Sequence, residues 1–215
     1  MRPYLLEEAH EVLAAVDAGD RTALAEELGD LLFQVVFLAR LAEEEGAFDL
    51  DTVVQGIHRK MVERHPHVFG GGGDGTLAGW EARKAKTRAS RVDGVPPALP
   101  ALLRAHRVGE KVAAVGFDWP DVAGVLAKVD EERAELAEAM ESGDRKRIEH
   151  EYGDLLLACA SLGRFIGVAG EDALRVANAR FEGRFRAVEA RALQAGVPLQ
   201  EAGMARLEGW WQEVK

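Results

Sequence analysis

Residues 131–156 read EERAELAEAMESGDRKRIEHEYGDLL, and residues 7–32 read EEAHEVLAAVDAGDRTALAEELGDLL. The two stretches align without a gap at a constant offset, the distance from Glu7 to Glu131, so the chain carries an internal repeat. Glu7, Glu8 and Glu11 fall on Glu131, Glu132 and Glu135, while Glu27 and Asp30 fall on Glu151 and Asp154. Each copy reads as a helical hairpin. Leu5, Leu6, Ala9, Val12, Leu13 and Val16 recur at helical spacing until Gly19-Asp20 stops the run. Leu24, Leu28, Leu31, Leu32 and Val35 then line the apolar side of a second helix.

Residues three apart on a helix lie about 60° apart around the axis and roughly 4.5 Å along it. Glu8 and Glu11 therefore project together from one helix, and Glu27 and Asp30 from the next, beside the apolar stripe. Closing the hairpin along that stripe makes four carboxylates converge, and such charges repel unless a cation sits among them. Oxygen ligands suit a hard divalent ion, magnesium or manganese before zinc. An acidic helix face is ordinarily just solvated. Retention of the same acids in both copies, where most other surface positions differ, favours metal ligation. The expected ligands are Glu8, Glu11, Glu27 and Asp30 in the first copy and Glu132, Glu135, Glu151 and Asp154 in the second.

Composition narrows the function. The chain has 215 residues, 47% of them hydrophobic, which suits one large or two small domains with cores. A net charge of −10 disfavours a broad grip on nucleic acid or an anionic membrane, but allows a phosphate-bearing small molecule held by metal and local cations. No apolar run reaches a membrane span and no signal peptide opens the sequence. The single Cys159 cannot form an internal disulfide, and a reducing cytoplasm is the expected setting.

Along the chain, Asp49 caps a third helix bearing Lys60 and Arg64 four residues apart. RHPHVF ends that helix, GGGGDG follows as a loop, and a short helix carries Trp80 and Lys84. The polar, then Pro-rich, residues 86–100 read as a linker between a first repeat, 1–85, and a second, 101–215. The second repeat opens with a helix and the turn Gly116-Phe117-Asp118-Trp119-Pro120-Asp121. It places Arg180 and Arg184 four apart, as it does Trp211 and Lys215. Each repeat thus offers acids, a cation pair and a Trp before a Lys. Taken alone, the cations read as surface charge and the tryptophans as core anchors; together with the acids they describe a polyphosphate site.

E-E-x-x-E followed by E-x-x-D on helical hairpins, with ELGDLLFQVVF, RHPHVF, GFDWP and the closing Trp-Trp-Gln-x-Val-Lys, resembles the MazG family over nearly the whole chain. The resemblance implies an all-α protein of two tandem repeats forming four-helix-bundle units, completed by homodimerisation. It implies magnesium-dependent hydrolysis of a nucleoside triphosphate to the monophosphate and pyrophosphate. On that reading metal held by Glu132, Glu135, Glu151 and Asp154 activates a water, and Glu131 or Glu132 orients or deprotonates it. Arg180, Arg184 and Lys215 hold phosphates and Trp211 packs near the base. Lys60, Arg64, Trp80 and Lys84 are the first repeat's counterparts. Where the family often has Lys as the first cation, Lys60 keeps it and Arg180 does not.

In the family a Pro-Trp-Asp turn also precedes the first hairpin. The sequence shows such a turn only before the second, so the second repeat is expected to be the main catalytic site. The competing reading is a tandem dimerisation or nucleotide-binding module with a degenerate first repeat. A di-iron bundle would need Glu-x-x-His twice; Glu7 and His10 supply one pair, but Ala134 stands where His10 would repeat.

Overall fold

A computed structural model describes residues 2–70 and 90–215, and the described residues contain helices and no strand. The all-α expectation holds. The chain divides into two compact units, Met1–Lys84 and Ala85–Lys215.

The first unit contains α1 (Arg2–Ala18), α2 (Arg21–Glu44) and α3 (Leu50–Arg64). The break between α1 and α2 is local chemistry. Gly19 takes φ +65°, a left-handed conformation that costs a residue without a side chain little. Asp20 then accepts hydrogen bonds from the backbone N–H groups of Thr22 and Ala23, satisfying two free donors of the new helix. The second unit repeats the device: Gly143 has φ +69° and Asp144 caps Lys146 and Arg147. Asp49 caps α3 through Thr52, as its sequence position implies.

The second unit contains α4 (Ala101–Ala113), α5 (Val122–Ser142), α6 (Arg145–Phe165), α7 (Gly170–Gln194), α8 (Leu199–Ala202) and α9 (Met204–Glu213). The hairpin α5–α6 is its centre, as α1–α2 is of the first unit; α4 lies along α6 and α7, and α9 returns onto α7. Lys215 lies beyond the end of α9, so its place is set by the helix end, not by one-turn periodicity from Trp211.

Among the described residues the buried apolar ones are small: Ala15 and Ala39 in the first unit; Val125, Ala139, Ala158, Ala160, Val188 and Ala192 in the second. Small side chains let helices approach closely, but they leave larger apolar groups outside. On α2, Leu28, Leu32, Val35 and Val36 are exposed, as are Phe33 and Phe37, whose rings stack at 5.8 Å. With Leu31 and Leu38 turned inward, the middle of α2, residues 31–39, is apolar on every side but that of Gln34, the pattern of a helical stretch covered on more than one side. No single helix among the described residues is long and apolar enough to cross a membrane.

Candidate functional site

The hairpin in each unit brings carboxylates together across its two helices. In the first, ligand oxygens of Glu8 and Glu11 from α1 and Glu27 from α2 all lie within 4.8 Å of one another. In the second, Glu132 and Glu135 from α5 meet Glu151 from α6 within the same limit. These are equivalent positions under the repeat. Glu132 is only 5% exposed, a burial that a lone carboxylate does not tolerate without a counter-charge.

The fourth expected acid behaves differently. Asp30 is exposed and stands outside the first triplet. Asp154 groups with Glu151 and His150 instead of with Glu132 and Glu135, and His150 Nδ1 sits 3.2 Å from its carboxylate. His150 occupies the position of Glu26, so the repeat gave no signal for it.

Electrostatics mark both clusters. The Glu135 carboxyl titrates above the usual carboxylate range, first because burial disfavours its charge, then because Glu132 and Glu151 repel it. Glu11 is raised for the same reasons: desolvation first, then Glu27, Glu8 and Glu7.

The nearest partners of the two clusters differ. Glu8 accepts from the Gln34 amide at 3.3 Å. In the second unit Ala158 stands at the position of Gln34, and a cation enters from α5 itself. Lys128 Nζ lies 2.7 Å from Glu132 Oε1 and 2.8 Å from Glu131 Oε1. Hydrogen bonds to Glu131 and then Glu132 keep that ammonium protonated well above the ordinary lysine range. Lys128 repeats Tyr4, and a substitution between copies carries no sign of function in the sequence alone.

The segment before α5 is anchored to the far end of α6. Asp118 receives a two-pronged ion pair from Arg164, with Nη1 donating to Oδ2 at 2.8 Å and Nη2 to Oδ1. Arg164 also lies against the Phe165 ring and passes close to Gly109 of α4. Trp119 rests on Gly124 in the first turn of α5, where an added Cβ would meet its ring at 3.2 Å. Asp121 caps that turn through Gly124 N–H. The turn therefore fixes where α5, with its acids, begins.

Of the expected phosphate ligands, Arg180 is exposed on α7, and Arg184, partly buried, donates to the Lys215 backbone carbonyl at 3.5 Å. Trp211 packs on Phe181, ring centroids 5.2 Å apart, and Phe181 stacks on Phe185. Arginines and phenylalanines thus alternate along α7, giving adjoining charged and aromatic strips. In the first unit Lys60 is exposed and Arg64 partly buried on α3. Trp80 and Lys84 lie outside the described residues.

The MazG nucleotide pyrophosphohydrolase domain model matches residues 1–69 and 121–188, one match over each hairpin. The chain belongs to the MazG family. It is 40% identical over 219 residues to the nucleoside triphosphate pyrophosphohydrolase/pyrophosphatase MazG of Thermotoga maritima, an alignment covering 100% of this chain and 85% of that protein. It is 43% identical over 224 residues to the nucleoside triphosphate pyrophosphohydrolase of Escherichia coli K12, covering 99% of this chain and 85% of the relative. The two MazG matches coincide with the two acid triplets, so the tandem reading of the sequence and the placement of the carboxylates agree.

Proposed function

We propose that the protein is a nucleoside triphosphate pyrophosphohydrolase that hydrolyses its substrate to the nucleoside monophosphate and pyrophosphate with magnesium, or manganese, at the second repeat. The observation that carries this reading is the Glu132–Glu135–Glu151 triplet, with a buried carboxylate at its centre and an ammonium already drawn to it. Such an all-oxygen, partly desolvated set fits a hard divalent cation. Glu132, Glu135 and Glu151 would hold it, with Asp154 beside them. When bound, the ion would supply Lewis-acid polarisation of the phosphate and a lower pKa for a coordinated water.

The chain's own groups supply the rest. A water oxygen attacks the α-phosphorus, the bond from that phosphorus to the oxygen bridging to the β-phosphate breaks, and pyrophosphate leaves. Glu131 is exposed and can pass a proton on to solvent, so it accepts the water's proton. Arg180 and Arg184 bind phosphate oxygens from α7, Lys215 adds a further charge, and Trp211 with Phe181 presents aromatic surface to the base. Glu8, Glu11, Glu27 and Asp30, with Lys60, Arg64, Trp80 and Lys84, form the related set of the first repeat.

The protein acts as a homodimer on this reading, with the exposed Leu28, Leu32, Phe33 and Val36 of α2 supplying apolar surface for the contact. No nucleic acid or membrane is part of it, and the cytoplasm is its setting.

The test is product analysis on a nucleoside triphosphate with magnesium. Monophosphate and pyrophosphate in equal amounts, reduced about a thousandfold or more by Glu135→Ala, are expected. Orthophosphate as the first product would refute the reaction, and activity surviving Glu135→Ala but lost in Glu11→Ala would refute the choice of repeat.

A further inference from the structure

We infer that Lys128 is a tethered counter-cation of the second acid triplet, which holds the site assembled before a metal arrives and is displaced when the metal enters. The inference rests on the proposed metal reading and concerns what this chain does in the metal's absence.

The geometry is that of a charge held in place of an ion. Lys128 Nζ makes two short contacts, 2.7 Å to Glu132 and 2.8 Å to Glu131. It is placed by helix spacing, three and four residues before its partners, so it reaches them without any tertiary adjustment. Glu132 is buried, and a buried carboxylate stripped of its partner is strongly destabilising. The Lys128 side chain retains 35% exposure, and its long apolar stem lets the ammonium swing outward while the stem stays on the helix. A divalent ion and this ammonium compete for the same carboxylate oxygen, so one excludes the other from Glu132.

The first repeat shows the alternative. Its position for Lys128 is Tyr4, exposed, and Glu8 takes a hydrogen bond from the neutral Gln34 amide. The two triplets therefore share their acids but not the group that meets the first of them. A metal entering at Glu8 displaces no ammonium from this position. Entry at Glu132 does, which makes the second site weaker for free metal than its carboxylates alone would be. The released ammonium then stands at the edge of the site.

Manganese binding to the full chain, without nucleotide, tests this by isothermal titration and by thermal melting in chelator and in metal. Lys128→Gln should bind manganese about tenfold more tightly than wild type, a conservative share of the attraction between unit charges in contact in a partly wet site. It should also melt at lower temperature in chelator and gain more from manganese. Lys128→Arg should restore wild-type affinity, and in a Glu135→Ala background the Lys128→Gln gain should vanish. A second readout uses wild type alone: acetylation of Lys128 by an amine reagent, followed by peptide mass spectrometry, should speed up several-fold in saturating manganese. It settles the matter if Lys128→Gln fails to fold. Unchanged or weaker metal binding in folded Lys128→Gln, or Lys128 labelling that does not rise with metal, overturns the inference while leaving the metal reading intact. Absence of manganese binding to wild type overturns both.

Discussion

Replacing Asp118 by Ala should loosen the second unit more than any other single change in its exposed turns. Asp118 looks dispensable, since its residue lies at the surface, yet its side chain keeps only 22% of its exposure and that of Arg164 only 15%. Removing the carboxylate leaves a guanidinium that is enclosed by Gly109 and the Phe165 ring and whose Nε already has no hydrogen-bond partner. Breaking a fully buried pair from one side costs about 3–5 kcal/mol. Discounted for the exposure that remains, the expected loss is about 2–3 kcal/mol. That corresponds to roughly 5–10 °C in Tm for a unit of this size. Urea and thermal denaturation of the full chain followed by circular dichroism measure it. Asp118→Asn should recover part of the loss through shape and one hydrogen bond. Arg164→Met, which removes the buried charge itself, should cost less than Asp118→Ala, and the double variant should cost less than the two single losses together.

The pH dependence of this pair has a defined sign. The hydrogen bonds from Arg164, set against burial, hold the Asp118 carboxyl below the usual range. A carboxylate lowered on folding stabilises the fold above its unfolded pKa, about 3.9, and loses that contribution as pH falls through the lower folded value. The Asp118→Ala penalty should therefore be full at neutral pH and shrink below about pH 4. A change under about 0.5 kcal/mol at pH 7, the range of ordinary surface substitutions, would refute the reasoning that this ion pair anchors the start of α5.

Glu135 predicts the opposite pH behaviour. Its carboxyl is raised, so the metal-free fold is favoured while it is protonated and loses that benefit as pH rises through the folded value. Glu135→Gln should raise the Tm in chelator at neutral pH while abolishing turnover, read by melting and product analysis. Gly163→Ala should destabilise by about 2 kcal/mol or more, because the new Cβ would sit 2.8 Å from the Val168 backbone oxygen, which cannot rotate away; denaturant melts check it. On the proposed homodimer, Leu32→Glu on the exposed face of α2 should lower the mass from dimer to monomer by light scattering, and a monomeric wild type would refute the dimer.

Much of this protein is legible in the chain because its helix boundaries are local. Asp20, Asp49, Asp121 and Asp144 cap helices with their own side chains, and Gly19 and Gly143 close them, so these ends need no tertiary partner. The repeat likewise needed only an offset, and it marked Glu8, Glu11, Glu27 and Asp30 with Glu132, Glu135, Glu151 and Asp154, of which the three glutamates of each copy meet. What the sequence could not decide was which groups complete each site. Spacing puts Glu27 and Asp30 on one helix face equally well, yet the structure joins Glu27 to the α1 acids and leaves Asp30 outside. Which carboxylates converge depends on the angle and depth at which two helices pack, and the buried Ala15, Ala39 and Ala139 belong to that packing and not to the acid pattern. The repeat marked none of Gln34 at Glu8, Lys128 at Glu132, His150 at Asp154 or Arg164 at Asp118. Lys128–Glu132 and His150–Asp154 are one-turn pairs within a single helix and differ between the repeats, whereas Gln34–Glu8 and Arg164–Asp118 span separations that no helical period encodes. Helical period and capping act over a few residues and are written into the sequence, whereas a partner across a packed hairpin is chosen only when the chain has folded.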